Sequence, residues 1–176
     1  MSMEELLIPS IIVKLNGGFF WKESLSNCPN TFESMTSTLQ LSDAEMDNLD
    51  LSHPDQILNT LYSLESPVYI TGMDEEQTLF YNPAVQQALS HASDERIRNC
   101  SLALNYPDEL RHRNDLIKKD KNIPNYEFKA LRWVKDGEIW RRREMEFVSN
   151  FAFCEYLGIP ARVCIHKNAT PLTKIF

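Results

Sequence analysis

The chain has 176 residues, 43% of them hydrophobic and 24% charged, the make-up of an ordinary soluble globular protein with one sizeable core. Its net charge of −7 is uneven: residues 1–66 hold ten acidic residues against Lys14 and Lys22, while the remainder is nearly neutral. An acidic arm argues against nucleic acid or an anionic membrane as the main partner, and no apolar run approaches the roughly 20 residues that cross a bilayer.

At the N-terminus, Glu4 and Glu5 stand where an export signal carries basic residues, so none is expected. Cys28, Cys100, Cys154 and Cys164 are scattered without a C-x-x-C pair. That spacing predicts neither a disulfide framework nor a zinc cluster, and a reducing cytoplasm is the expected location. Ile11-Ile12-Val13 predicts a short strand and Gly17-Gly18 a turn. Ser42-Asp43-Ala44-Glu45 has the spacing of a capping box. Ser52-His53-Pro54-Asp55 predicts a helix start, with Ser52 as the cap, Pro54 in the first turn and Asp55 favouring the dipole. Ile57, Leu58, Leu61, Tyr62 and Leu64 follow at helical spacing and form one apolar stripe. Such a stripe either covers the rest of the chain or pairs with a second copy of it.

The composition changes near residue 65. Val68-Tyr69-Ile70 predicts a strand, Gly72 to Glu76 a turn, and Thr78-Leu79-Phe80-Tyr81 a second strand. Asn82-Pro83 ends that strand and opens a helix through Ala84, Val85, Ala88 and Leu89, with Asn82 as its cap. Helical pieces are expected over 94–102 and 107–119. Two long strands, 125–135 and 138–155, flank the hairpin signal Asp136-Gly137, and a last strand over 161–167 follows a turn at Leu157-Gly158-Ile159-Pro160. The fold class this gives is α+β: a five-stranded antiparallel sheet with short helices on one face. The predicted division is an acidic extension or cap over 1–51, an amphipathic flanking helix over 52–66, the main domain over 67–171 and a C-terminal exit over 172–176.

Residues 65–171 resemble the PAS family in four places. Phe80-Tyr81-Asn82-Pro83-Ala84 is similar to the family's second strand running into an Asn-Pro-Ala helix start. Asn125-Tyr126-Glu127-Phe128-Lys129, continued by Lys135-Asp136-Gly137-Glu138-Ile139-Trp140, resembles the strand, Lys-Asp-Gly turn and Trp-bearing return strand. Phe147 to Phe151 and Glu155 to Ala161 resemble the last two strands joined by a Gly-x-Pro-Ala turn. Asn168-Ala169-Thr170 stands where many members have Asp-Ile-Thr at the joint to an effector, with Asn168 in place of the Asp.

The resemblance implies a cavity between sheet and helices that is empty or holds haem, flavin or a small metabolite. For flavin, Asn99 and Cys100 echo the light-sensing branch, but Ser101 replaces its Arg, and strand 162–167 offers no Gln to the flavin ring. For haem, His112 is the candidate axial ligand and His91 a weaker one; no metal site is expected otherwise. His53 reads as a capping-region residue. The expected cofactor is none, with the ligand unknown. A small organic ligand would be lined by Tyr69, Phe80, Cys100, Leu104, Tyr126, Trp133, Phe147, Ser149, Phe151, Cys164 and His166. Alternation places Phe147, Ser149, Phe151 and Phe153 on one strand face. An aromatic core that needs no ligand accounts for the same residues.

No Gly-rich phosphate loop, nucleophile elbow or His-Glu-x-x-His motif occurs, and intrinsic catalysis is not expected. Arg141-Arg142-Arg143 lies in a predicted strand, whose alternation forbids a three-Arg clamp. Three functions follow. The first is a sensory module that binds a small ligand or a protein and relays the change to an attached or partner effector of the histidine kinase or cyclase type. The second is a ligand-free dimerisation or heteromeric interaction module using the outer sheet face with Ile57, Leu58, Leu61 and Tyr62. The third is a haem-based redox or gas sensor using His112.

Overall fold

The computed structural model describes residues 38–73, 77–90, 92–99 and 103–175. The expected Ile11–Val13 strand, the Gly17-Gly18 turn, His91 and Cys100 lie outside the described residues. The sequence between 43 and 63 gives a helix α1 (Asp43–Asp47), a 3-10 turn (Pro54–Gln56) and a helix α2 (Leu58–Ser63). The capping box forms in full. The Ser42 N–H donates to Glu45 Oε2 at 2.8 Å and the Glu45 N–H to Ser42 Oγ at 3.3 Å, which holds the Glu45 carboxyl below its ordinary range. Ser52 is not a cap. Its hydroxyl donates back to Asp50, and His53 opens the 3-10 turn with no side-chain bond, so the expected continuous helix breaks at Ile57.

Six strands follow: β1 (Val68–Gly72), β2 (Thr78–Tyr81), β3 (Ala103–Asn105), β4 (Asn122–Asp136), β5 (Ile139–Tyr156) and β6 (Ile159–Ile175). All pairs are antiparallel, in the order β2-β1-β6-β5-β4-β3. The five expected strands are present, and β3 adds a short sixth at the edge of β4. Between β2 and β4 lie α3 (Pro83–Ala88), α4 (Asp94–Asn99) and α5 (Pro107–Asp120). At the β4–β5 hairpin Asp136 pairs with Ile139, and Gly137 alone takes a positive φ of 61°. At the β5–β6 hairpin Tyr156 pairs with Ile159, and both Leu157 (φ 49°) and Gly158 (φ 75°) are left-handed, the signature of a two-residue turn. The last strand therefore starts at Ile159 and not after a four-residue turn. It runs on through Asn168–Thr170, opposite Val148 to Glu146, so the expected joint and the exit as far as Ile175 are part of the sheet.

Helical cover lies on both faces of this sheet. On one, Val68, Ile70, Ala152, Tyr156, Val163 and Ile165 pack against Leu51, Leu58, Leu61 and Leu64. This N-terminal face is an apolar core completed by the segment before β1. On the other, inner face, alternate residues of the same strands meet α3, α4 and α5 through two smaller clusters. Leu58 and Leu61 are buried within the chain's own core, with Ile57 and Tyr62 half-buried against it. Of the two destinations expected for this stripe, cover for the chain or contact with a second copy, the packing shows cover over the chain's own sheet.

Side chains fasten that cover. Asn82, fully buried, does not cap α3. Its Oδ1 accepts from the Val68 N–H at 3.0 Å, and its amide donates to Leu64 O at 3.0 Å and Ser66 O at 2.9 Å. Asp47 accepts from Asn150 on β5 and from Lys167 Nζ on β6 at 3.1 Å, and the Asn150 bond is the first cause that lowers its carboxyl.

Candidate functional site

Strand alternation sorts the expected ligand residues. Tyr69 pairs with Tyr81 and Ile70 with Phe80, so Phe80 shares the face of Ile70 and meets Tyr156 edge-on at 6.5 Å. Phe80 belongs to the N-terminal face, a correction to its expected place. The structure brings Tyr69, Tyr126, Phe147, Ser149, Phe151, Cys164 and His166 together on the inner face. Trp133 stands at the margin of that face, packed against the α3–α4 cluster, with Arg142 over its ring at 4.7 Å. Leu104 lies in β3 opposite Leu131; its side chain, like Cys100, is outside what is described.

The floor of the site is aromatic. Phe128 stacks on Phe147 at 5.2 Å, and Tyr126 meets Phe151 edge-on at 6.0 Å. Within this ring set Ser149 Oγ lies 2.6 Å from His166 Nδ1, and Cys164 Sγ is 3.8 Å from the same nitrogen. Burial pushes His166 down to about 3, with Arg132 and Arg113 adding to the shift, so the ring is neutral. Burial pushes the Cys164 thiol up to about 12 and the Tyr69 phenol up to about 12. Neither group is ionised at neutral pH, and the cluster supplies no activated nucleophile.

Tyr69 and His166 are nevertheless only half-buried by area.

Arginine was missed by the sequence reading. Arg113 on α5 is 2% exposed, with its guanidinium 4.5 Å above the Phe128 ring and 4.8 Å from that of Phe151. Its Nη2 donates to Asn105 Oδ1 at 3.1 Å, and Nη1 lies 3.4 Å from Glu109 Oε2, but Nε and Nη1 make no hydrogen bond. Arg132 on β4 donates to Ala88 O at 2.6 Å and also acts on His166 and Tyr69. Arg162 donates to Asn114 Oδ1 at 3.0 Å and, with Arg113, favours the Cys164 thiolate without overcoming burial. The signal that could have found Arg113 is its spacing four residues before Ile117, which is fully buried.

His112, the expected haem ligand, is exposed, because on α5 the inward position is its neighbour Arg113. His166 faces inward, but its Nδ1 is engaged by Ser149. His112 is thus not placed to ligate a haem on the inner face. As expected from the sequence, β6 offers no amide to a flavin edge: its inward positions are Arg162, Cys164 and His166. No group of three or more His, Cys, Asp or Glu among the described residues could hold a metal ion. No helix among them is long and apolar enough to cross a membrane.

No family model matches the chain, and no curated protein matches it in sequence. Solved structures do. A PAS domain from a two-component sensor histidine kinase is 16% identical with a TM-score of 0.42, covering 67% of this chain and 95% of its own. A PAS domain from Desulfitobacterium hafniense is 16% identical with a TM-score of 0.44, covering 62% of this chain and 98% of its own. An RNA-binding Light-Oxygen-Voltage receptor is 10% identical with a TM-score of 0.42, covering 69% of this chain and 34% of its own. These three solved structures are PAS and LOV proteins; this chain's own architecture is an antiparallel sheet with short helices packed on it.

Proposed function

We propose that this chain is a sensory module whose inner hollow takes a small molecule and whose occupancy is relayed to the segments flanking the sheet. The observation that carries this reading is the alternation of two kinds of side chain along the same strands. Ser149 and His166 bond to each other on the inner face, while the adjacent Asn150 and Lys167 reach across to Asp47 on the N-terminal segment. Val163 and Ile165, on either side of Cys164, pack directly under that segment. A shift of β5 or β6 on ligand entry displaces both faces at once. A ligand changes such an equilibrium only by binding the two states unequally.

The output is an attached or partner effector of the histidine kinase or cyclase type, and the chain relays instead of catalysing. The buried free thiols Cys154 and Cys164 suit a reducing cytoplasm. Native mass spectrometry of freshly purified full chain tests the reading. A mass excess that denaturation releases as a small molecule is expected. A spectrum of the bare chain as a stable dimer, with no releasable molecule, favours the ligand-free interaction module instead.

A further inference from the structure

We propose that the inner hollow selects a small organic carboxylate, whose oxygens are held by Arg113 and whose carbon skeleton rests on Phe128 and Phe151. This rests on the reading of the hollow as a ligand site and names the ligand's class. The first support is Arg113, a buried guanidinium whose Nε and Nη1 make no hydrogen bond. A buried donor without an acceptor costs free energy, and an anionic oxygen is the acceptor that repays a guanidinium best. The second support is charge balance. Two guanidiniums, Arg113 and Arg132, both act on His166 on the inner face, and among the described residues the carboxylate paired with Arg113 is Glu109. Glu109 lies 3.4 Å from Arg113 Nη1 as an ion pair, yet neither of its oxygens is hydrogen-bonded, so the guanidinium's hydrogen-bonding capacity is left open. The third is the floor, where two phenyl rings within 5 Å of the guanidinium offer apolar contact to a short carbon chain or ring.

The test is a calorimetric titration of the full chain with acids from acetate to phenylacetate, each beside its neutral amide. At least one acid binds, about tenfold or more tighter than its amide, since a charge-assisted pair in a desolvated site is worth that much. Arg113→Met, shown to be folded by its circular dichroism, loses about tenfold in affinity, and Arg113→Lys loses less. Glu109→Gln tightens binding by removing the carboxylate that competes for Arg113; this variant and Arg113→Lys serve if Arg113→Met does not fold. Weaker binding in Glu109→Gln overturns the proposal, because Glu109 would then recognise a cationic group on the ligand. Equal binding of acid and amide also overturns it while leaving the hollow a ligand site. No binding of any acid overturns it as well, and a releasable molecule in native mass spectrometry would then keep the broader reading standing.

Discussion

On the N-terminal face of the sheet, Val68, Ile70, Val163 and Ile165 meet Leu58, Leu61 and Leu64, and polar groups enter mainly to fasten the cover. On the inner face, the residues between them, Tyr69, Cys164 and His166, meet Ser149, Arg113 and a stack of rings. One face minimises free energy by exclusion of water. The other keeps buried charge and donors that make no hydrogen bond, which a chain selected for stability alone would replace with apolar residues. On the proposed function, stability and recognition are divided between two sides of the same strands.

The sharpest break to that division is Leu61→Asp. A carboxylate placed at a position of 0% exposure destabilises the fold by ~4 kcal/mol or more in denaturant titration. A variant that stays as stable as wild type and merely dissociates a dimer would make the stripe an intermolecular surface. Asn82→Ala comes next. It orphans the Val68 N–H and the Leu64 and Ser66 carbonyls, costs ~3 kcal/mol, and accelerates amide exchange across residues 61–68.

A third prediction separates the faces by pH. His166 is held near 3 when folded, below its ordinary 6.5, so the unfolded chain takes up a proton first as pH falls. The stability it contributes is full above about pH 6.5 and declines towards pH 3. His166→Phe removes this proton, and its stability falls less steeply with acid, by up to ~1.4 kcal/mol per pH unit. Parallel pH curves for the two proteins would place His166 in water. The smallest effect is Asp47→Asn, which weakens the link to Lys167 by ~0.5 kcal/mol and does so less at high salt.

Much of the framework was legible in the sequence because it depends on local chemistry. Asp136-Gly137 sets its hairpin, Asn82-Pro83 ends a strand, and Ser42 with Glu45 closes its box whatever surrounds them. The face assigned to Phe80 was not legible. Alternation in Thr78–Tyr81 yields two sets of side chains, and only pairing with β1 decides which set points inward. Pro160 read as part of a turn, yet it sits in β6 opposite Glu155 because Leu157-Gly158 already completes the reversal. Arg113 hid among Glu109, Arg111 and His112, where charge density suggests a solvated helix; its burial follows from packing against β4 and β5. The flanking stripe was read correctly as apolar, but its destination depends on tertiary contacts that spacing does not encode.

The coupling of the two faces is tested most directly by amide hydrogen exchange of the full chain. The protein as purified is compared with the same protein unfolded and refolded in ligand-free buffer. Loss of the bound molecule should speed exchange across residues 42–66 while the centre of β5 stays protected. Unchanged exchange across 42–66 after that molecule has been removed would contradict the relay.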